Sequence, residues 1–542
     1  MFSKQLCIAV LTLCIIHGQC SFFRNSKAED DLVGGLESSS SAIHTNGITG
    51  GISPAVIKGY KFFNQATREN ILVKGVDYYP RPNEGDLDHN SVDYFTKEHR
   101  HIWERDIPQF KALGINAIRL YSVDSDKDHS AFMCALNKAG IYAMVELASG
   151  CPKCAITSKE APKCYPKRLK VRGEKIIREF SKYTNTLAFS AGNEVNHFVP
   201  LGSPPEWNAP CLKKFIRDMR AFVRRCESSH MRHVPIGLIM ADTDRDINTL
   251  YYNCQSDPND DLENAEWYGI NTYVYCNATA TKFKDSVGFT RLQESFESYN
   301  YSIPVLLTEF GCLSETFPTI DGYEAQRSFN QARWMDLPQI QDDFAGGFVF
   351  EYSIEKSIAR TPFPFKKFAE ASYGIGYFSP DDCDDINIMC EYNRTPAFYN
   401  LKKAFAHAQH NPTVTLDNFV PNEFRTGRSE CPSNFPPLNS FQWKSDMESV
   451  SCPSIDKSVW TCPPESGGPI IQPQSATYIS RFLTMAIIVG FTVAFIGALT
   501  NLEGTHNRKF RPLFRWNRKR QERSEENDPL VDKVESTYKA VE

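Results

Sequence analysis

The sequence predicts a (β/α)8 barrel, and three observations carry the prediction. Eight apolar runs of strand length recur at 72–78, 116–121, 141–147, 187–191, 235–240, 267–273, 304–310 and 347–352. Between most of them lie stretches with apolar residues three and four apart, clearest at 97–113, 130–139, 171–183, 211–226 and 325–335, which is the helical period. Two of the runs, the fourth and the seventh, also lead into glutamates, Glu194 and Glu309, at the same end. Strands alternating with helices build a parallel sheet, and eight such units close into a barrel whose C-terminal strand ends carry function. A doubly wound open sheet is the alternative, but no glycine-rich phosphate loop supports it.

The barrel is expected over 52–410, and its flanks read as an address. Lys4, an apolar run at 6–16 and small residues before a cut after Cys20 form a signal peptide over 1–20. A Ser/Gly-rich flexible leader follows at 21–51. Cleavage removes three of the 17 cysteines and leaves 14 for an oxidising lumen, where disulfides form. Sequons at Asn277, Asn300 and Asn393 fit the same route as glycosylation sites. Behind the barrel the composition shifts to Pro, Ser and Asn, so 411–480 reads as a stalk pinned by disulfides among Cys431, Cys452 and Cys462.

Residues 482–502 are uncharged and long enough to cross a bilayer, giving a transmembrane helix over 481–502. Residues 463–480 hold no Lys or Arg, whereas Arg508, Lys509, Arg511, Arg515, Arg518, Lys519, Arg520 and Arg523 follow the span. Positive-inside reasoning makes this a single-pass type I anchor with a basic cytosolic tail at 503–542. The expected address is the plasma membrane or cell surface, with the barrel extracellular or luminal. The net charge of −5 gives no case for a nucleic-acid partner, and a monomer is expected.

Two carboxylates at one edge of a sheet suit retaining cleavage of a glycosidic bond. One carboxylic acid protonates the leaving oxygen while a second carboxylate, roughly 5 Å away, attacks the anomeric carbon. Glu194 is the candidate acid/base, because the neighbouring anion of Glu309 should raise its pKa. Glu309 is then the nucleophile, and Asn193 is placed to hydrogen-bond the sugar 2-hydroxyl.

A set of ordered segments makes the reading more specific. They are Val73-Lys74-Gly75-Val76 followed by Tyr79-Pro80, Arg105-Asp106-Ile107, LGINAIRLYSV at 113–123 with Asp124, and Ala139-Gly140-Ile141-Tyr142. AGNEV at 191–195, GINTY at 269–273, TEFGC at 308–312, and Gly346-Gly347 with Glu351-Tyr352 complete the set. Together they resemble glycoside hydrolase family 72, the β-1,3-glucanosyltransferases, across the whole barrel. The resemblance implies a β-1,3-glucan donor and a glucan acceptor whose 3-hydroxyl replaces water in the second step, without any metal or organic cofactor. It also implies sugar contacts at Tyr121, Tyr273 and Tyr352, an orienting cation at Arg119, and a weaker candidate at Asp242.

Several positions depart from the family pattern. Tyr79 stands where the family usually has Gln, and Glu146, a candidate donor-sugar contact, where it has Asp. Tyr275-Cys276-Asn277 replaces Trp-Cys-Gly, although Cys276 and Cys312 match a family disulfide. Cys134 lacks its family partner and is expected to be free or paired differently. No cysteine-rich glucan-binding module is recognisable after 410. Cys151, Cys154 and Cys164 are expected to brace the loop after the third strand rather than to hold zinc. Two readings compete with the transferase: an endo-β-glucanase of the same clan and a non-catalytic glucan-binding surface receptor.

Overall fold

The computed structural model describes residues 51–463 apart from 81–91, 275–277, 357, 384–386, 426–429 and 445–448. The chain divides by its contacts into residues 1–49 and 50–542, and the described residues all fall in the second unit. The expected signal peptide, nearly all of the leader, the membrane span, the cytosolic tail, Cys276 and Asn277 lie outside the described residues. Among the described residues no helix is long and apolar enough to cross a membrane.

A short antiparallel hairpin, β1 (Ala55–Lys58) and β2 (Lys61–Asn64), precedes the barrel. The barrel strands are β3 (Val73–Asp77), β4 (Ala117–Leu120), β5 (Tyr142–Glu146), β6 (Thr186–Asn193), β7 (Ile236–Ala241), β8 (Tyr268–Asn271), β9 (Val305–Phe310) and β10 (Gly346–Val349). All eight pair in parallel and β10 returns to β3, so the sheet closes. The predicted barrel is therefore present, with β6 and β9 as the fourth and seventh barrel strands. A second hairpin, β11 (Gly376–Ser379) and β12 (Glu391–Arg394), follows.

The strands read as near-continuous apolar runs because both their faces are covered, by the barrel interior and by the helical ring. Phe62 from β2 joins Val73, Ala117, Leu187, Ile239, Trp267, Leu306 and Phe348 in an interior cluster at the N-terminal end of the barrel. Large rings fit there because small residues stand opposite. A Cβ on Gly75 would lie 2.3 Å from the Phe348 ring, and one on Gly237 would lie 2.5 Å from the Trp267 ring.

Two predicted helices are shorter than their periodicity suggests. The stretch at 97–113 breaks between helices Arg100–Trp103 and Ile107–Leu113. Pro108 in the first turn of the second helix excludes a continuous one, since its ring would clash with the carbonyl four residues back. The stretch at 325–335 yields only Asn330–Arg333 and a 3-10 turn, because Ala325 and Phe329 adopt positive φ.

The larger departure concerns 411–463, expected as a stalk. Its cysteines do not pair among themselves. Each reaches the barrel instead: Cys431 with Cys254, Cys452 with Cys226, and Cys462 with Cys134. Along the way Arg68 holds Asp417, Arg425 pairs with Asp343 at 3.2 Å, Phe435 stacks on Tyr251, and Ser449 donates to Glu174. These contacts tie the segment to the barrel unit along its length, from Arg68 and Asp343 through Tyr251 and Glu174 to Cys226 and Cys134, so it forms a belt rather than a tether. Cys134 is accordingly bonded. Cys151 pairs with Cys154 and Cys164 with Cys211, bracing the loop after β5 as expected.

Cross-linking residues 328 apart removes much unfolded-chain entropy. Replacing Cys134 and Cys462 together by serine should lower unfolding stability by about 2–5 kcal/mol, read from denaturant melts of the oxidised protein.

Candidate active site

Arg119 in β4 is the hub of the barrel mouth. It is 1% exposed, and its guanidinium fans out to side chains from four other strand ends. One terminal nitrogen donates to Glu309 at 2.9 Å, to the Thr308 carbonyl at 3.2 Å, and to Asp77 at 3.5 Å. The other donates to Asn193 at 2.9 Å and to Glu146 at 3.4 Å. A planar, permanently charged fork can hold such a radial set, which a point charge cannot.

Glu309, at the end of β9, receives two further donors. The Tyr121 hydroxyl reaches Oε1 at 2.9 Å and the Tyr273 hydroxyl reaches Oε2 at 2.9 Å. With Arg119 this makes three donors that converge on the Glu309 oxygens and hold the carboxyl group in place.

Glu194 follows β6 with φ of 49°, a left-handed turn that swings the chain out of the strand. Its Oε1 accepts from Asn271 Nδ2 at 2.9 Å, and the same amide donates to Asn193 at 3.0 Å. Thr308 fixes that amide by donating to Asn271 Oδ1 at 2.8 Å. The acid and the nucleophile are thus joined by one hydrogen-bonded chain through Asn271, Asn193 and Arg119. Burial, and then the charge of Glu309, push the Glu194 pKa up to about 7, while the Asn271 bond opposes the rise. A carboxyl poised there can donate a proton near neutrality and take one back.

The remaining candidates separate into two groups. Glu146 lies in the cluster, 3% exposed, with a pKa raised to about 7 mainly by burial. Asp242 is half-buried and held by Arg245 at 2.6 Å and by the Thr272 hydroxyl at 2.9 Å, so it ties two mouth loops together. Tyr79 gives its hydroxyl to the Val92 carbonyl at 3.3 Å and packs on Tyr94. Tyr352 corrects the expectation of a sugar contact. It is 0% exposed, stacks on Tyr392 at 4.2 Å, and donates to Asp106 at 3.0 Å, so its ring is packed against these neighbours and offers no open face.

Four site residues escaped the sequence reading: Asp77, Asn271, Thr308 and Glu351. Asn271 and Thr308 lie inside the quoted GINTY and TEFGC segments, and a polar residue ending a barrel strand was the available signal. Asp77 and Glu351 are buried acids whose pKa values are driven well above normal, chiefly by burial. Asp77 Oδ2, Glu146 Oε1 and Glu351 Oε1 have no hydrogen-bond partner among the described residues. A separate cavity of about 530 Å³ is lined by Asp93, Asp124, Arg172 and the Cys151–Cys154 pair, and contains neither Glu194 nor Glu309. No metal-binding cluster occurs among the described residues. Cys312 is disulfide-bonded, and its expected partner Cys276 lies outside the described residues.

A closed (β/α)8 barrel that pairs a proton-holding glutamate with a donor-clamped one at its mouth is the arrangement of a glycosidase-type enzyme. The family model described as glucanosyltransferase, glycoside hydrolase family 72, matches residues 45–358, and the chain belongs to that family. The 1,3-beta-glucanosyltransferase PGA4 of Candida albicans is 31% identical over 355 residues, 64% of this chain and 68% of the relative. The 1,3-beta-glucanosyltransferase gas4 of Schizosaccharomyces pombe is 30% identical over 350 residues, 63% and 67% of the two chains. Among solved structures, Saccharomyces cerevisiae Gas2p in complex with laminaripentaose is similar with a TM-score of 0.54 and 25% identity, over 75% of this chain and 78% of that one.

Asn271→Ala removes a bond that favours ionised Glu194, so the Glu194 pKa should rise further. Because the acid must be protonated, turnover should hold up to about pH 7 in the wild type and fall above it. The alkaline limb of kcat/KM should move upward in the variant; an unmoved or lowered limb would contradict the assignment. Arg119→Lys keeps the charge but loses the fork, and should lower kcat/KM by about 10²- to 10³-fold at fixed pH.

Proposed function

We propose that this chain is a retaining β-1,3-glucanosyltransferase in which Glu309 is the nucleophile and Glu194 the acid/base. The observation that carries the assignment is the asymmetry of the pair: three donors hold Glu309, whereas burial and a neighbouring anion hold a proton on Glu194. Glu309 attacks the anomeric carbon of a β-1,3-glucan while Glu194 protonates the departing oxygen, leaving a glycosyl–enzyme ester. Glu194, now ionised, takes the proton of an acceptor's 3-hydroxyl, which attacks the same carbon and releases Glu309. The donor's new reducing end becomes linked to a second glucan, and the anomeric configuration is retained.

Tyr121 and Tyr273 orient the nucleophile, Asn193 contacts the sugar 2-hydroxyl, and Glu146 with its unpartnered oxygen contacts the donor. The proposed setting is the outer face of the plasma membrane, in remodelling of cell-wall glucan. Support for this comes from the N-terminal leader pattern, the uncharged run at 482–502 and the basic cluster behind it.

Incubating the protein with a reduced laminari-oligosaccharide and sizing the products by mass spectrometry tests the reading. Products longer than the starting oligosaccharide are expected, and Glu309→Ala should abolish them. Shorter products alone would instead mark a hydrolase.

A further inference from the structure

The loop that follows the acid, residues 196–208, combines a fixed base with an exposed apolar tip. Its base is fixed on both sides. Asn196 Nδ2 donates to the Thr243 hydroxyl at 2.8 Å and to the Ala241 carbonyl at 3.1 Å, and its Oδ1 accepts from Ala241 N at 3.2 Å. At the far end Asn208 Nδ2 donates to the Val195 carbonyl at 3.1 Å, and Trp207 donates from its indole to Ser158 at 3.0 Å. Between these anchors the tip is open. Phe198 is 62% exposed and Leu201 93% exposed, and the His197 ring meets Phe198 edge-on at 5.6 Å. Residues 198–202, FVPLG, carry no charge.

An anchored loop that holds an aromatic and an aliphatic side chain in water offers apolar area that a ligand can cover. Its chemistry suits a neutral one. Pyranose rings of a β-glucan present C–H faces that pack on such a surface, and they bring no charge that would call for a basic or acidic patch.

The side of the cleft follows from the reaction. The acid/base touches the oxygen that departs in the first step and the hydroxyl that attacks in the second, so leaving group and acceptor both occupy the Glu194 side. The tip begins four residues beyond Glu194, whose carbonyl accepts from His197 N at 2.8 Å. We propose that Phe198 and Leu201 form an acceptor-side platform for β-glucan and bias the glycosyl–enzyme toward transfer over hydrolysis. This rests on the transferase reading above.

The test is the ratio of transferred to hydrolysed product, measured against acceptor concentration in the full chain. Phe198→Ala should lower the ratio about tenfold, as loss of an apolar contact of this size would, and raise the acceptor concentration for half-maximal transfer by a similar factor. Leu201→Ser should act in the same direction, and Phe198→Trp should restore the ratio. A ratio equal to the wild type's in both Phe198→Ala and Leu201→Ser overturns the proposal. A uniform fall in turnover at constant ratio also overturns it, since it would mark the loop as a structural support. Absence of any transferred product from the wild type overturns the transferase reading itself, which is a different result.

Discussion

One buried guanidinium governs the mouth of this barrel. Arg119 must satisfy Glu309, Asp77, Glu146 and Asn193 from within the sheet, with almost no water to share the task. Removing two or more charges from water is expensive unless they are paired, and here the acids outnumber the cation. The excess is resolved by protonation: burial raises the pKa of Asp77, Glu146, Glu194 and Glu351. The acid's proton is therefore a property of the whole cluster, with the Glu309 anion as the second contributor at Glu194.

That constraint explains why the surrounding polar residues are amides and hydroxyls. Asn193, Asn271, Thr308, Tyr121 and Tyr273 can relay hydrogen bonds among the carboxylates without adding charge. They come from β6, β8, β9 and the turns after β4 and β8, so strand register sets their spacing, and a barrel fixes register more firmly than loops do.

The barrel was legible because parallel strands buried on both faces leave unbroken apolar runs, and Glu194 and Glu309 were legible because they end two such runs. What the sequence hides is phase. Tyr352 and Glu351 are neighbours after β10, yet Glu351 lies within the electrostatic reach of Asp77 and Glu309 while Tyr352 packs against Tyr392 and Phe110 behind the sheet. A strand end tells where a residue is, but a one-residue step decides which face it serves. The belt was hidden for another reason. Pro- and Ser-rich composition suits a linker and a wrapped segment equally, and disulfide connectivity does not follow from spacing.

The belt also bears on biosynthesis. Cys134, Cys226 and Cys254 are made long before Cys462, Cys452 and Cys431, the partners they hold in the finished fold. As the chain is synthesised, these three cysteines therefore wait for partners that arrive only with residues 431–462. A waiting thiol is able to exchange with a pair between near neighbours, such as Cys151 with Cys154, by thiolate attack on its sulfur. A polypeptide interrupted before Cys431 keeps three thiols without their native partners, a chemical sign of incompleteness that a closed barrel alone would not display.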